Sequence, residues 1–69
     1  DGEYVITGVQ TARKVTGRLT LQRMCRRIYG TDEYMPYVMK LNNLKRPEEA
    51  WAGRIIKFPK LVKRTELNQ

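Results

Sequence analysis

Apolar residues recur through the middle of the chain at the period of an amphipathic helix. Leu21, Met24, Cys25, Ile28 and Tyr29 fall three and four residues apart, while Gln22, Arg23, Arg26 and Arg27 fill the opposite face. Thr20 precedes this stripe and can accept hydrogen bonds from first-turn amides, and Gly30 follows it as a left-handed C-terminal residue would. Thr31 and Asp32 then offer a hydroxyl and a carboxylate suited to capping a second helix, expected over residues 33–42. Tyr34, Val38 and Leu41 form its apolar stripe with Tyr37 beside them. Pro36 fits only in the first turn, where its missing N–H costs little. The two helices therefore make a tight hairpin around Gly30.

Outside the hairpin the period changes to two. In residues 53–59, Ile56 and Phe58 point one way and Ile55 and Lys57 the other, with Pro59 closing the strand. Residues 11–16 read as its partner, with Val15 inward and Arg13 and Lys14 at exposed or edge places. Tyr4, Val5, Ile6 and Thr7 form a β-branched and aromatic run that Gly8 interrupts, so residues 1–10 read as an extended segment able to add an edge strand. Residues 11–60 make the domain, and residues 61–69, charged and aperiodic, read as a tail or linker. The expected fold is α+β: a β-α-α-β unit with two helices packed on one face of a two-stranded antiparallel sheet, with room for an extra N-terminal edge strand. Its core should hold Val15, Leu21, Met24, Cys25, Ile28, Tyr34, Val38, Leu41, Ile56 and Phe58.

Composition narrows the chemistry. A chain of 69 residues supports one core, and its lone cysteine cannot form an internal disulfide, so packing must supply stability. Cys25, on the apolar stripe with no visible activating partner, reads as a small buried hydrophobe. Without histidine or paired cysteines the chain has almost no transition-metal ligands, and no cofactor motif is present. No apolar run approaches a membrane span, and the first residues do not resemble a signal peptide. Fourteen Lys and Arg against seven Asp and Glu give +7, which draws the domain toward acidic partners. Arg23, Arg26 and Arg27, on the polar face of the first helix, are either a solvated face or a docking surface for anionic polymer.

From Val15 to Pro59 the chain resembles the lysin-motif (LysM) domain. The resemblance rests on three pieces in order: L-x-x-M-C-x-x-I-Y-G from Leu21 to Gly30, P-Y-V-M-K-L-N from Pro36 to Asn42, and P-E-E-A-W-A-G-R-I-I-K-F-P from Pro47 to Pro59. They match the family's first helix, its second helix with terminal Asn, and its closing strand. The chain departs from the pattern where the family opens its first helix with Gly-Asp-Thr-Leu: Arg18, Leu19, Thr20 and Leu21 stand there, the glycine is shifted to Gly17, and the acidic residue is absent.

The resemblance implies a non-catalytic module that recognises N-acetylglucosamine-containing glycan, peptidoglycan or chitin, at the cell envelope or outside the cytoplasm. It implies a groove between Gly17, Arg18, Leu19 and Thr20 on one side and Asn42, Asn43, Leu44, Lys45, Arg46 and Pro47 on the other, with Trp51 near its edge. A protein-docking or scaffold module that has lost sugar binding is the alternative that the altered first loop favours. Nucleic-acid binding is a third reading, weakened because the second helix of the hairpin offers only Lys40 against Asp32 and Glu33. Catalysis is not expected. Glu48 and Glu49 are the only acidic pair outside the Asp32–Glu33 helix start, and no nucleophile with a base is apparent.

Overall fold

A computed structural model describes residues 2–67; Asp1, Asn68 and Gln69, the ends of the expected N-terminal segment and tail, lie outside the described residues. Strand β1 (Tyr4–Lys14) leads into helix α1 (Leu21–Tyr29) and helix α2 (Met35–Leu41), and strand β2 (Ile55–Lys63) returns antiparallel to β1. A short helix, α3 (Arg64–Leu67), follows. Leu21, Met24 and Cys25 of α1, Val38 of α2 and Ile56 and Phe58 of β2 share one buried cluster, so both helices lie on the same face of the sheet. The fold is α+β with the expected β-α-α-β order.

Helix α1 forms where its stripe and caps dictate. The Thr20 side chain accepts from the Arg23 amide at 3.2 Å, and Gly30 adopts φ 80°, donating its N–H to the Arg26 carbonyl. Helix α2 is shorter than its sequence pattern. Its N-cap is Tyr34, with no side-chain cap, because the two groups expected to cap it are used elsewhere. Thr31 accepts from the Glu33 amide in the connecting turn, and Asp32 turns back to Gln22 at 2.6 Å and Arg26 at 3.0 Å. Those bonds hold the Asp32 carboxyl below its usual range, the Gln22 hydrogen bond contributing most.

The strands depart further from expectation. Residues 4–10 are not an additional edge strand; they are the first part of β1, and β2 runs through Pro59 into the expected tail as far as Lys63. Eleven residues of β1 face nine of β2, and the difference is absorbed in register shifts between Ile6 and Gly8 and between Val9 and Thr11. Each shift admits one unpaired residue and breaks the period-two alternation, which is why this region does not read as one strand. Pro59 lies opposite Val9 at such a shift, and its buried carbonyl end accepts from the Tyr29 hydroxyl at 2.6 Å. A proline interior to a strand is tolerated at such an irregularity, where the ladder is already interrupted.

The core is smaller than expected and differently composed. Val15, Leu21, Met24, Cys25, Val38, Ile56 and Phe58 are buried as expected, and Leu44 joins them. Ile28 packs against this cluster partly buried, as do Met35 and Met39, while Tyr34 and Leu41 are only half-buried. Tyr34 belongs instead to a second aromatic group. Edge-to-face contacts link Tyr4 to Tyr34 at 4.9 Å and to Tyr37 at 5.9 Å, Tyr34 to Tyr29 at 5.2 Å, and Tyr29 to Phe58 at 6.4 Å. These rings tie the N-terminal half of β1 to α2 and to the core.

Burial raises the Cys25 thiol to about 11, and raises the Tyr29 hydroxyl further from its ordinary 10.0. Because both folded values are raised, their contribution to stability is complete below the unfolded values of 9.0 and 10.0 and is lost as pH climbs through the folded ones. Unfolding by urea should therefore show a midpoint steady between pH 7 and 8.5 and falling above about pH 9, with the Cys25→Ser variant losing part of that fall. A midpoint indifferent to alkaline pH would show that neither group is held in the packing described.

Candidate functional site

Two loops meet at one end of the sheet. The first joins β1 to α1 and turns at Gly17 and Arg18, with the Leu19 amide bonded to the Thr16 carbonyl at 3.1 Å. The second runs from the end of α2 through a 3-10 turn at Pro47–Glu49 to β2. Their bases are joined where the Val15 amide donates to the Arg54 carbonyl at 2.8 Å and the Gly53 amide donates to the Val15 carbonyl at 2.7 Å. Gly53 has φ 94°, a conformation that a side chain would strain.

The longer loop is braced by side chains. Arg54 donates to the carbonyls of Glu49 at 3.0 Å and Asn42 at 3.2 Å, and its guanidinium lies 4.7 Å from the centre of the Trp51 ring. Glu49 accepts from the Lys45 amide at 3.0 Å. Asn42 acts as a clamp: its amide nitrogen donates to the Val38 and Lys57 carbonyls, both at 2.7 Å, while its oxygen accepts from the Lys57 amide at 2.9 Å. The side chain thus supplies the hydrogen bonds a neighbouring strand would offer to Lys57, closing part of the outer edge of β2.

Between the loops lies an open groove of about 390 Å³. Val15, Thr16, Gly17, Leu19, Thr20, Leu21 and Gln22 line it from the first loop and the start of α1; Pro47, Glu48, Ala50 and Ala52 line it from the second; Met35 of α2 completes it. The surface is predominantly apolar, with hydroxyls at Thr16 and Thr20, an amide at Gln22 and one carboxylate at Glu48. That mixture suits the faces and ring hydroxyls of a neutral sugar. Among the described residues no cluster of three His, Cys, Asp or Glu could hold a metal ion.

Of the eleven residues expected at a groove, the structure brings Gly17, Leu19, Thr20 and Pro47 to its lining. The other seven lie elsewhere. Leu44 is buried in the core, Asn42 is engaged with β2, and Arg18, Asn43, Lys45 and Arg46 are exposed away from the lining. Trp51 is 60% exposed and stacked on Arg54 rather than turned into the groove. Thr16, Gln22, Met35, Glu48, Ala50 and Ala52 are additions to the expected lining, as are the core residues Val15 and Leu21. No local signal marks Ala50, Ala52 or Met35: Ala50 closes the 3-10 turn, Ala52 lies in the turn that the Arg54 amide closes on the Trp51 carbonyl, and Met35 opens α2.

No protein-family model matches this chain, and no curated protein or solved structure matches it either. The class that the fold defines is a small α+β domain with an open groove between two loops. Among the described residues no helix is long and apolar enough to cross a membrane.

Proposed function

We propose that this domain is a non-catalytic binding module for N-acetylglucosamine-containing glycan, of the peptidoglycan or chitin kind, acting at the cell envelope or outside the cytoplasm. The observation that carries the reading is the groove itself. It lies between the β1–α1 loop and the α2–β2 loop, where the resemblance to the lysin-motif domain implies a sugar site, and its mixed apolar and hydroxyl lining suits pyranose rings. Gly17, Leu19, Thr20 and Pro47 are its proposed contacts, joined by Met35, Ala50 and Ala52. A shallow groove gives weak single-site binding, and useful avidity then comes from several copies engaging one polymer.

Titration with a chitin hexamer, followed by amide chemical shifts, tests this. Residues 15–22 and 47–52 should shift together at millimolar sugar, and Ala52→Asp, at an exposed residue of the lining, should abolish the response while leaving the remaining spectrum folded. Silence in both loops would sink the reading.

A protein-docking role is the second reading, favoured by a different observation. Trp51 and Ile55 are 60% and 61% exposed close together in sequence, outside the groove, and large exposed apolar residues often anchor protein contacts. A module of that kind would lose its partner on Trp51→Ala and be indifferent to Ala52→Asp.

A further inference from the structure

The groove shares a wall with a basic recess. A second hollow, of about 120 Å³, is lined by Arg13 and Lys14 at the end of β1 and by Leu19, Met24, Arg27 and Ile28. Leu19 lines both hollows and so stands between them. The composition inverts across that residue: the groove has no cationic lining and one carboxylate, Glu48, on its α2–β2 side, whereas the recess has three cations and no acid.

Those cations are uncompensated. Among the described residues the one ion pair joins Arg26 to Asp32, and Arg13, Lys14 and Arg27 have no acidic partner. Arg23 lies one helical turn before Arg27 on the exposed face of α1 and adds to the same field. Like charges drawn from two elements around one recess repel one another, an arrangement that an anionic ligand would relieve. Such a ligand reaching across Leu19 would keep its neutral rings in the groove.

We infer that the groove and the recess form one extended site whose ligand is an acidic glycan, with sugar rings lying between the two loops and a carboxylate of an adjoining ring held by Arg13, Lys14 and Arg27. The inference rests on the glycan reading proposed above and adds to it the charge of the ligand and its direction. The acidic ring lies at the β1–α1 end, and Glu48 disfavours the reverse orientation.

The probes are a hyaluronan hexasaccharide, in which N-acetylglucosamine alternates with glucuronate, a neutral chitin hexamer, and a short single-stranded DNA as a polyanion without these rings. At low ionic strength the acidic sugar should bind about tenfold more tightly than the neutral one, the sum expected of a few exposed charge pairs. That advantage should shrink as salt rises and vanish in an Arg13→Gln, Arg27→Gln double variant, while Arg26→Gln keeps it. Both sugars should move the amides of residues 15–22. Equal affinity for the two sugars would overturn the inference and leave the glycan reading standing. DNA should shift only Arg13, Lys14 and Arg27; an acidic sugar that does the same, with the groove silent, would overturn the single extended site, and silence of the groove with both sugars would remove the glycan reading as well.

Discussion

Replacing Phe58 by Ala should cost about 3–5 kcal/mol and Ile56 by Ala about 2–5 kcal/mol, the range for emptying a packed site that cannot collapse. Both side chains are fully buried, and they are the contribution of β2 to the cluster that joins the sheet to α1 and α2. Phe58 also meets Tyr29 edge to face, so its loss reaches the aromatic group beyond the core. Against a total stability of about 3–10 kcal/mol for a domain this small, either change removes a large share of the whole. Arg26→Ala is the comparison. Its side chain is 59% exposed and bonded to Asp32 at the surface, and such a pair contributes about 0–1 kcal/mol. Urea denaturation of the three variants should give large midpoint shifts for the first two and almost none for the third. Equal losses would mean that the sheet does not present Ile56 and Phe58 to the helices.

Asn42→Ala should destabilise the domain by about 2 kcal/mol, although the side chain is not in the core. Three hydrogen bonds of 2.7 to 2.9 Å disappear together, and two of them hold α2 to the backbone of β2 at Lys57. Water can replace part of what is lost, because Lys57 is exposed, which keeps the cost below that of a core deletion. Asn42→Asp separates the components: its carboxylate still accepts from the Lys57 amide, yet it can donate to neither carbonyl and faces both with negative charge. It should be no more stable than the alanine variant. Amide exchange at Lys57 should accelerate in the alanine variant and less in the aspartate variant, while an unchanged rate in the alanine variant would show that Asn42 does not clamp the strand.

The placement of Asn42 illustrates where local pattern stops being informative. As the last polar residue of an apolar stripe it marks a helix end correctly, but the use of its side chain depends on a strand fifteen residues later arriving beside it. Leu44 is similar. It lies in a stretch of Asn, Lys and Arg that reads as a solvated loop, and the turn bonded from its amide to the Met39 carbonyl swings it into the core. Tyr34 and Leu41 fit the stripe of α2 by spacing, yet only Val38 of that stripe is fully buried, because a helix of two turns touching one edge of a narrow sheet buries little more than a line.

Local chemistry alone determined α1 and its limits: the five-residue apolar stripe, the Thr20 cap and the left-handed Gly30 act within a few residues of one another. It also determined that Ile56 and Phe58 share a face, because strand alternation is a property of the chain's own geometry. The length of the strands was settled only by pairing. Residues 4–10 and 60–63 alternate poorly by themselves, and two register shifts let them zip together nonetheless, with Tyr4 held against Tyr34 and Tyr37. The groove belongs to the same category. Its two walls are some thirty residues apart in sequence, so which side chains line it depends on how the loops turn. Tertiary packing gave Leu44 a place in the core and left Leu19 between an apolar groove and three cations.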